Sequence, residues 1–364
     1  MHAVPIEFVD TEDVLADTLY SMQGIMLARA GTKLTENLLD RIKKNQIYTL
    51  YIEDEFSDYE INRLLEPSLI NKGMLLIRDI FNAASYRDLQ GEHKPQSIMP
   101  FMDNLNLLAD DVVDAIFRKR DHPLEYVVIK NVENYLYMSS LNCGLLSAIM
   151  ATTLNYNREM VKQLFFSGVF HDIGMAFLPS EIFFKNGPLT TEEKMMILEH
   201  PIKGHQYLKD KIFLSAYVKQ ATLHHHEKLN GTGYPQRVAG EDLGLNAQIV
   251  GIADIYDAMT SDRPYKRATS PLEAVEYLMG SSGTGYDSHL VQLFTSKVHP
   301  YPPGSLVQLN NKEYAVVDEV PDGMPLRPNI RLISGKKGAY TFKALELTKE
   351  HTLFIDKLVY KLPF

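Results

Sequence analysis

Between His224 and Pro235 the chain reads HHHEKLNGTGYP, and no other stretch restricts the fold as much. Adjacent imidazoles are costly to bury unless a partner holds them. A metal ion is such a partner, because neutral imidazole is a common ligand and a turn can aim neighbouring rings at one centre. The glycines that follow permit a tight turn and a close backbone approach to a ligand, and Tyr234 adds a ring face and a hydroxyl beside it. Taken alone, such a run would also suit a solvated metal-binding tract or an ordinary turn. This one lies well inside a chain of 364 residues, which sets it apart from a tag. Upstream lie His171-Asp172 and His200, and downstream lies Asp254, each in an apolar segment that reads as buried helix. Separated His and carboxylate groups converging on a core are explained most economically by metal.

Composition narrows the function. A formal net charge of -9, from 37 basic and 46 acidic residues, argues against a general binder of nucleic-acid polymers or anionic membranes. It leaves room for a local basic pocket. Cys143 is the single cysteine, so there is no disulfide framework and no thiolate zinc site, which suits the reducing cytoplasm. Any metal must then be held by His, Asp and Glu. The N-terminal MHAVPIEFVDTEDV has acidic residues where a signal peptide would have an apolar core. From Asn134 to Asn157 no side chain is charged, a length that could span a bilayer. Ser139, Ser140, Asn142, Ser147, Thr152 and Thr153 weaken that reading, and the expectation is a buried central helix, not a membrane span.

The chain reads as mainly α, a helical bundle with a small α/β N-terminal module and a small β-rich C-terminal tail. Residues 1–65 alternate β-like runs with one helical segment, Glu36 to Asn45, and suit sensing, docking to a signalling partner or formation of a homodimer. Residues 66–123 hold connecting helices, from Pro67 to Ser85 and from Asp103 to Lys119, the second with Leu105, Leu108, Val112 and Ile116 at helical spacing. Residues 124–300 are mainly helical. There the segment from Glu159 to Phe170 delivers His171-Asp172, and Thr190 to Glu193 forms a capping box for a helix expected to run to His200, where Pro201 interrupts it. Another buried helix spans Ala247 to Met259 and contains Asp254. Arg263, Lys266 and Arg267 follow, suiting either an anionic substrate or a solvated loop. Ser270 caps a last helix that Gly280 stops. Residues 301–364 alternate apolar and polar side chains between turn signals, as a small β-rich module would.

In order and approximate spacing, HDIG at 171–174, HP at 200, HHE at 225–227, GTGYP at 231–235, AD at 253 and SDRPYK at 261–266 resemble the HD-GYP domain. These are bacterial, metal-dependent phosphodiesterases that hydrolyse cyclic di-GMP, and the resemblance covers about residues 125–300. It implies the helical bundle of the HD superfamily and a metal set of His171, Asp172, His200, His225, His226 and Asp254. Asp172 would bridge two ions, usually iron or manganese, with His200, His225 and His226 completing one and His171 and Asp254 serving the other. Metal-activated water would attack phosphorus, Asp172 and His226 would be catalytic, and Tyr234, Arg263 and Lys266 would hold the dinucleotide.

Departures from the family pattern limit those implications. The family's YTYEHSxNV reads YLYMSSLNC here, so Ser139 stands where a ligand His is expected, and Tyr135 stands where some three-metal members have Glu. Met175 replaces the Lys that follows HDxG, a cation near the scissile phosphate. Asn230 for the usual Asp is milder. The expectation is one firmly bound ion, a second that is weak or absent, and slow or no turnover. If turnover persists, water or Asn142 fills the missing coordination. If it does not, the chain is a signalling protein that binds the dinucleotide or a partner protein.

Overall fold

The computed structural model describes residues 2–363 apart from 22–24, 46, 48, 57–63, 88–91, 120–134, 184, 186, 212, 262–268, 322 and 337. The chain divides into two compact units, one from residues 1–63, 124–131 and 295–364, the other from 64–123 and 132–294.

The first unit contains β1 (His2–Pro5), β2 (Leu19–Tyr20), β3 (Met26–Ala28), α1 (Glu36–Lys44) and β4 (Thr49–Ile52). β1 pairs antiparallel with β4, His2 opposite Ile52, and β2 pairs with β3. Leu15, Leu34, Ile42 and Leu50 fill the core between them. Later in the sequence the same unit adds a five-stranded antiparallel sheet. The five strands are β5 (Leu306–Leu309), β6 (Tyr314–Glu319), β7 (Asn329–Lys336), β8 (Ala339–Glu346) and β9 (Ile355–Leu358), in the order β8-β7-β6-β5-β9. Sequence reading treats the two ends of the chain as separate modules, but here they pack together. The His2 ring lies 2.8 Å from Asp54 and 3.3 Å from the Tyr360 carbonyl, and the Phe8 and Tyr360 rings stack with centroids 5.2 Å apart. Arg331 donates to the Phe56 carbonyl, and Phe56 meets Tyr340 edge-on.

The second unit is helical. Its elements are α2 (Pro67–Ser85), α3 (Met99–Arg118), α4 (Tyr135–Thr153), α5 (Arg158–Phe170), α6 (Ser180–Phe183), α7 (Thr191–Leu198), α8 (His200–Lys209), α9 (Ala216–His224), α10 (Leu245–Met259) and α11 (Pro271–Gly280). Helix α12 (Ser288–Lys297) follows them. The helices that the sequence suggested as connectors, α2 and α3, fall within this unit.

Helix α4 is buried on every side from Met138 to Thr152, which explains its lack of charge. Among the described residues no helix is long and apolar enough to cross a membrane. Its neighbour α5 comes so close that a Cβ on Gly168 would lie 2.4 Å from the Gly144 nitrogen.

Caps set the other boundaries. Asn157 accepts from the Met160 N–H at 2.9 Å, the box of Thr190 and Glu193 opens α7, and Ser270 accepts from the Glu273 N–H. The junction at Pro201 differs from the sequence reading. His200 opens α8 instead of closing α7, because Pro201 sits in the first turn, where a missing N–H breaks no intrahelical bond.

Candidate metal centre

Helix ends deliver most of the candidate ligands. His171 and Asp172 follow α5, His200 begins α8, His225 and His226 follow α9, and Asp254 projects from within α10. Two glycines permit the close approach. A Cβ at Gly174 would lie 1.9 Å from the His200 carbonyl oxygen, so the turn after Asp172 rests directly on the start of α8. A Cβ at Gly251 would lie 2.5 Å from the His225 carbonyl oxygen, which seats α10 under the His pair.

Backbone carbonyls orient the rings. Nδ1 of His171 lies 2.6 Å from the Gly168 carbonyl, Nδ1 of His200 lies 2.7 Å from that of Ile197, and Nδ1 of His225 lies 3.1 Å from those of Ala221 and Thr222. A ring that donates through Nδ1 presents a lone pair at Nε2, the tautomer a metal requires. Asp172 faces both sides of the cluster. Its Oδ1 is 3.0 Å from His200 Nε2 and 3.8 Å from His225 Nε2, and its Oδ2 is 3.4 Å from His171 Nε2. Asp254 places Oδ1 3.6 Å from His171 Nε2 and Oδ2 3.7 Å from His226 Nδ1. Two overlapping donor sets result, Asp172-His200-His225-His226 and His171-His225-Asp254, with the donor atoms of each set within 4.8 Å of one another.

The residues fit a metal for two further reasons. His171 Nε2 is buried with no hydrogen-bond partner among the described residues, a cost of about 1–3 kcal/mol that coordination would remove. His200 Nε2 and His225 Nε2 lie 3.2 Å apart, and with both Nδ1 atoms donating, their lone pairs face each other unless a cation lies between.

Ionisation agrees with this arrangement. Burial, reinforced by the neighbouring imidazoles, pushes His225 well below its ordinary range, and burial pushes His226 down to about 3, so both rings are neutral. Burial opposes charge on Asp172 and Asp254. The imidazoles of His171 and His200 overcome it at Asp172, and those of His171 and His226 at Asp254, holding both carboxyls below the usual carboxylate range. Burial likewise opposes charge on His171, but Cys143 and Asp172 beside it hold its pKa well above the ordinary value.

All six metal candidates of the sequence reading therefore meet in one cluster. Tyr234 joins them, its ring stacked on that of His226 with centroids 4.6 Å apart and planes 24° from parallel. Arg263 and Lys266 lie outside the described residues, as does Arg267.

Ser139 is buried, and its hydroxyl donates to Asp257 Oδ2 at 2.6 Å, while the Asn142 amide donates to Asp257 Oδ1 at 2.9 Å. The amide expected to fill missing coordination is thus drawn to a carboxylate one turn beyond Asp254. Met175 is buried in the turn that follows Asp172.

Two residues escaped the sequence reading. Asp257 recurs three positions after Asp254 on a buried helix, and Glu227 directly follows the His pair. A charge in a buried context was the available signal for each.

Residues 123–290 match the HD domain family, and residues 306–361 match a KOW domain associated with the HD domain. The cyclic di-GMP phosphodiesterase PA4108 of Pseudomonas aeruginosa is 34% identical over 225 residues, which cover 62% of this chain and 54% of that protein. The cyclic di-GMP phosphodiesterase PdeB of Borreliella burgdorferi is 27% identical over 200 residues, covering 55% of this chain and 52% of that one. The chain thus spans about half the length of these curated relatives. The solved structure of Bd1817, a HDG"Y"P protein from Bdellovibrio bacteriovorus, superimposes with a TM-score of 0.48 at 16% identity, covering 80% of this chain and 97% of that one. The matched residues 123–290 are thus an HD domain, and the motifs at 171–174, 200, 225–227 and 231–235 fall within it.

Proposed function

We propose that this chain is a metal-dependent cyclic di-GMP phosphodiesterase of reduced turnover, acting in the bacterial cytoplasm. The observation that carries the reading is Asp172 offering one oxygen to His200 and the other to His171 beside two donor sets that share His225. The names of the relatives supply the substrate class. A bound divalent ion, iron or manganese for a set of imidazoles and carboxylates, supplies Lewis acidity toward a phosphate oxygen and makes water a better nucleophile.

The protein residues do the rest. Asp172, His200, His225 and His226 hold one ion firmly, and His171 and Asp254 hold a second weakly. Asp172 and His226 border the reacting phosphate and are the catalytic pair. The Tyr234 ring on His226 contacts the dinucleotide, and Arg263 and Lys266 pair with its phosphates. Turnover is reduced because the hydroxyl of Ser139 serves Asp257 and because Met175 brings no charge to the turn after Asp172.

Anaerobic reconstitution with iron or manganese, followed by metal analysis and assay for linear product, tests this. One retained ion per chain is expected, with slow product formation that His226→Ala abolishes. Product that persists in His226→Ala, or no retained metal, overturns it. The engagement of Ser139 also favours a second reading, a non-catalytic protein that binds the dinucleotide and signals. Binding without product, even after Ser139→His and Met175→Lys, would establish that reading.

A further inference from the structure

We propose that Glu227 is a positioning residue that clamps the GTGYP turn onto the metal centre and acts on substrate through Tyr234. The second half rests on the proposed contact between Tyr234 and the dinucleotide. Glu227 is 3% exposed, and its Oε1 accepts from the backbone N–H groups of Gln236 at 2.6 Å and Arg237 at 2.9 Å. Hydrogen bonds from backbone N–H groups to a carboxylate are among the stronger ones, and here one oxygen receives both. They fasten the far side of the turn at a point where Arg237 takes a left-handed φ of 58°, a conformation costly for a residue with a Cβ. The other oxygen, Oε2, is buried with no hydrogen-bond partner among the described residues. General stability does not call for a half-satisfied buried carboxylate, whereas fixing a turn does.

The near side of the turn is fastened by the adjacent residue. The Tyr234 N–H donates to the His226 carbonyl at 3.3 Å, and Gly233 lies so close that a Cβ there would fall 2.4 Å from Glu227 Cα and 2.5 Å from that carbonyl oxygen. With both sides held, the Tyr234 ring lies flat on the His226 imidazole. One carboxylate thereby sets the spacing between a ring that faces substrate and a ring that faces metal. At the exposed rim the His224 and Gln236 side chains also meet, at 2.8 Å, but that contact does not fix the backbone of the turn.

The test compares Glu227→Ala and Glu227→Gln in the full chain loaded with manganese. In the Gln variant the side-chain carbonyl still accepts from both amides. Hydrogen exchange at Gln236 and Arg237 is expected to quicken about tenfold or more in Glu227→Ala and to stay near wild type in Glu227→Gln. Manganese content should be unchanged in both. The KM for cyclic di-GMP, or the Kd if turnover is too slow, should rise about tenfold in Glu227→Ala with little change in kcat, and the rise should vanish in a Tyr234→Ala background.

Unchanged exchange in Glu227→Ala would remove the clamp. Full additivity with Tyr234→Ala would remove the route through Tyr234. If the wild-type chain does not bind the dinucleotide, the proposed function and that route fail together, while exchange still decides the clamp. Should Glu227→Ala fail to fold, Glu227→Asp, one methylene too short to reach both amides, provides the same comparison.

Discussion

The two donor sets lie side by side in one core, yet their surroundings differ. Around Asp172, His200, His225 and His226 the Nδ1 atoms of His200 and His225 are tied to carbonyls, and the His226 side chain keeps 25% of its surface exposed under Tyr234. The set of His171, His225 and Asp254 is sealed, with His171 fully buried, and His225 has only one Nε2 to share between the sets. The Ser139 hydroxyl, which stands at the position of the family's missing ligand, donates to Asp257 instead. The contrast teaches that motif completeness and site completeness are different properties. All six candidate ligands meet, and still one set has four donors and the other three, one of them shared.

The largest expected effect is at Asp172, whose two oxygens face His200 and His171. Asp172→Asn should lower manganese affinity by about 100-fold or more, since even changes around a ligand cost about 10- to 100-fold; calorimetric titration reads this directly. Next, His200→Ala and His171→Ala should separate the sets. His200→Ala should release the firmly held ion, whereas His171→Ala should leave the first equivalent in place, and equal losses in a metal count would erase the distinction.

A smaller effect comes from pH. The neutral His225 and His226 need shed no proton to bind, so these two ligands add no proton release to binding of the first ion. His171, held above its ordinary range, must lose a proton, so second-equivalent affinity should rise with pH by up to about tenfold per unit until His171 is deprotonated. Titrations at pH 6 and pH 8 would show whether the second equivalent gains affinity. Smallest is Ser139→Ala, which leaves Asp257 short of a donor and should cost about 1–3 kcal/mol in urea unfolding with the first ion undisturbed.

Much of this was legible in the sequence because local chemistry announced it. His and Asp in apolar surroundings marked the six candidate ligands, and Thr190 and Ser270 marked helix starts by their hydrogen-bonding side chains. Long-range pairing was not legible. Ser139 and Asp257 are 118 positions apart, and nothing near either one says that they meet when α4 packs on α10. The joining of the chain ends through His2, Asp54 and Tyr360 has the same character, since no local pattern encodes it. Pro201 misled for a different reason. The same ring that ends one helix can begin another, and only the cap geometry tells which.

Helix α4 has one further consequence, for synthesis. A segment with no face suited to water has no comfortable state while it waits, and α10, which covers it, is made roughly a hundred residues later. Until residues 245–259 leave the ribosome, the side of α4 that faces α10 stays uncovered in the nascent chain.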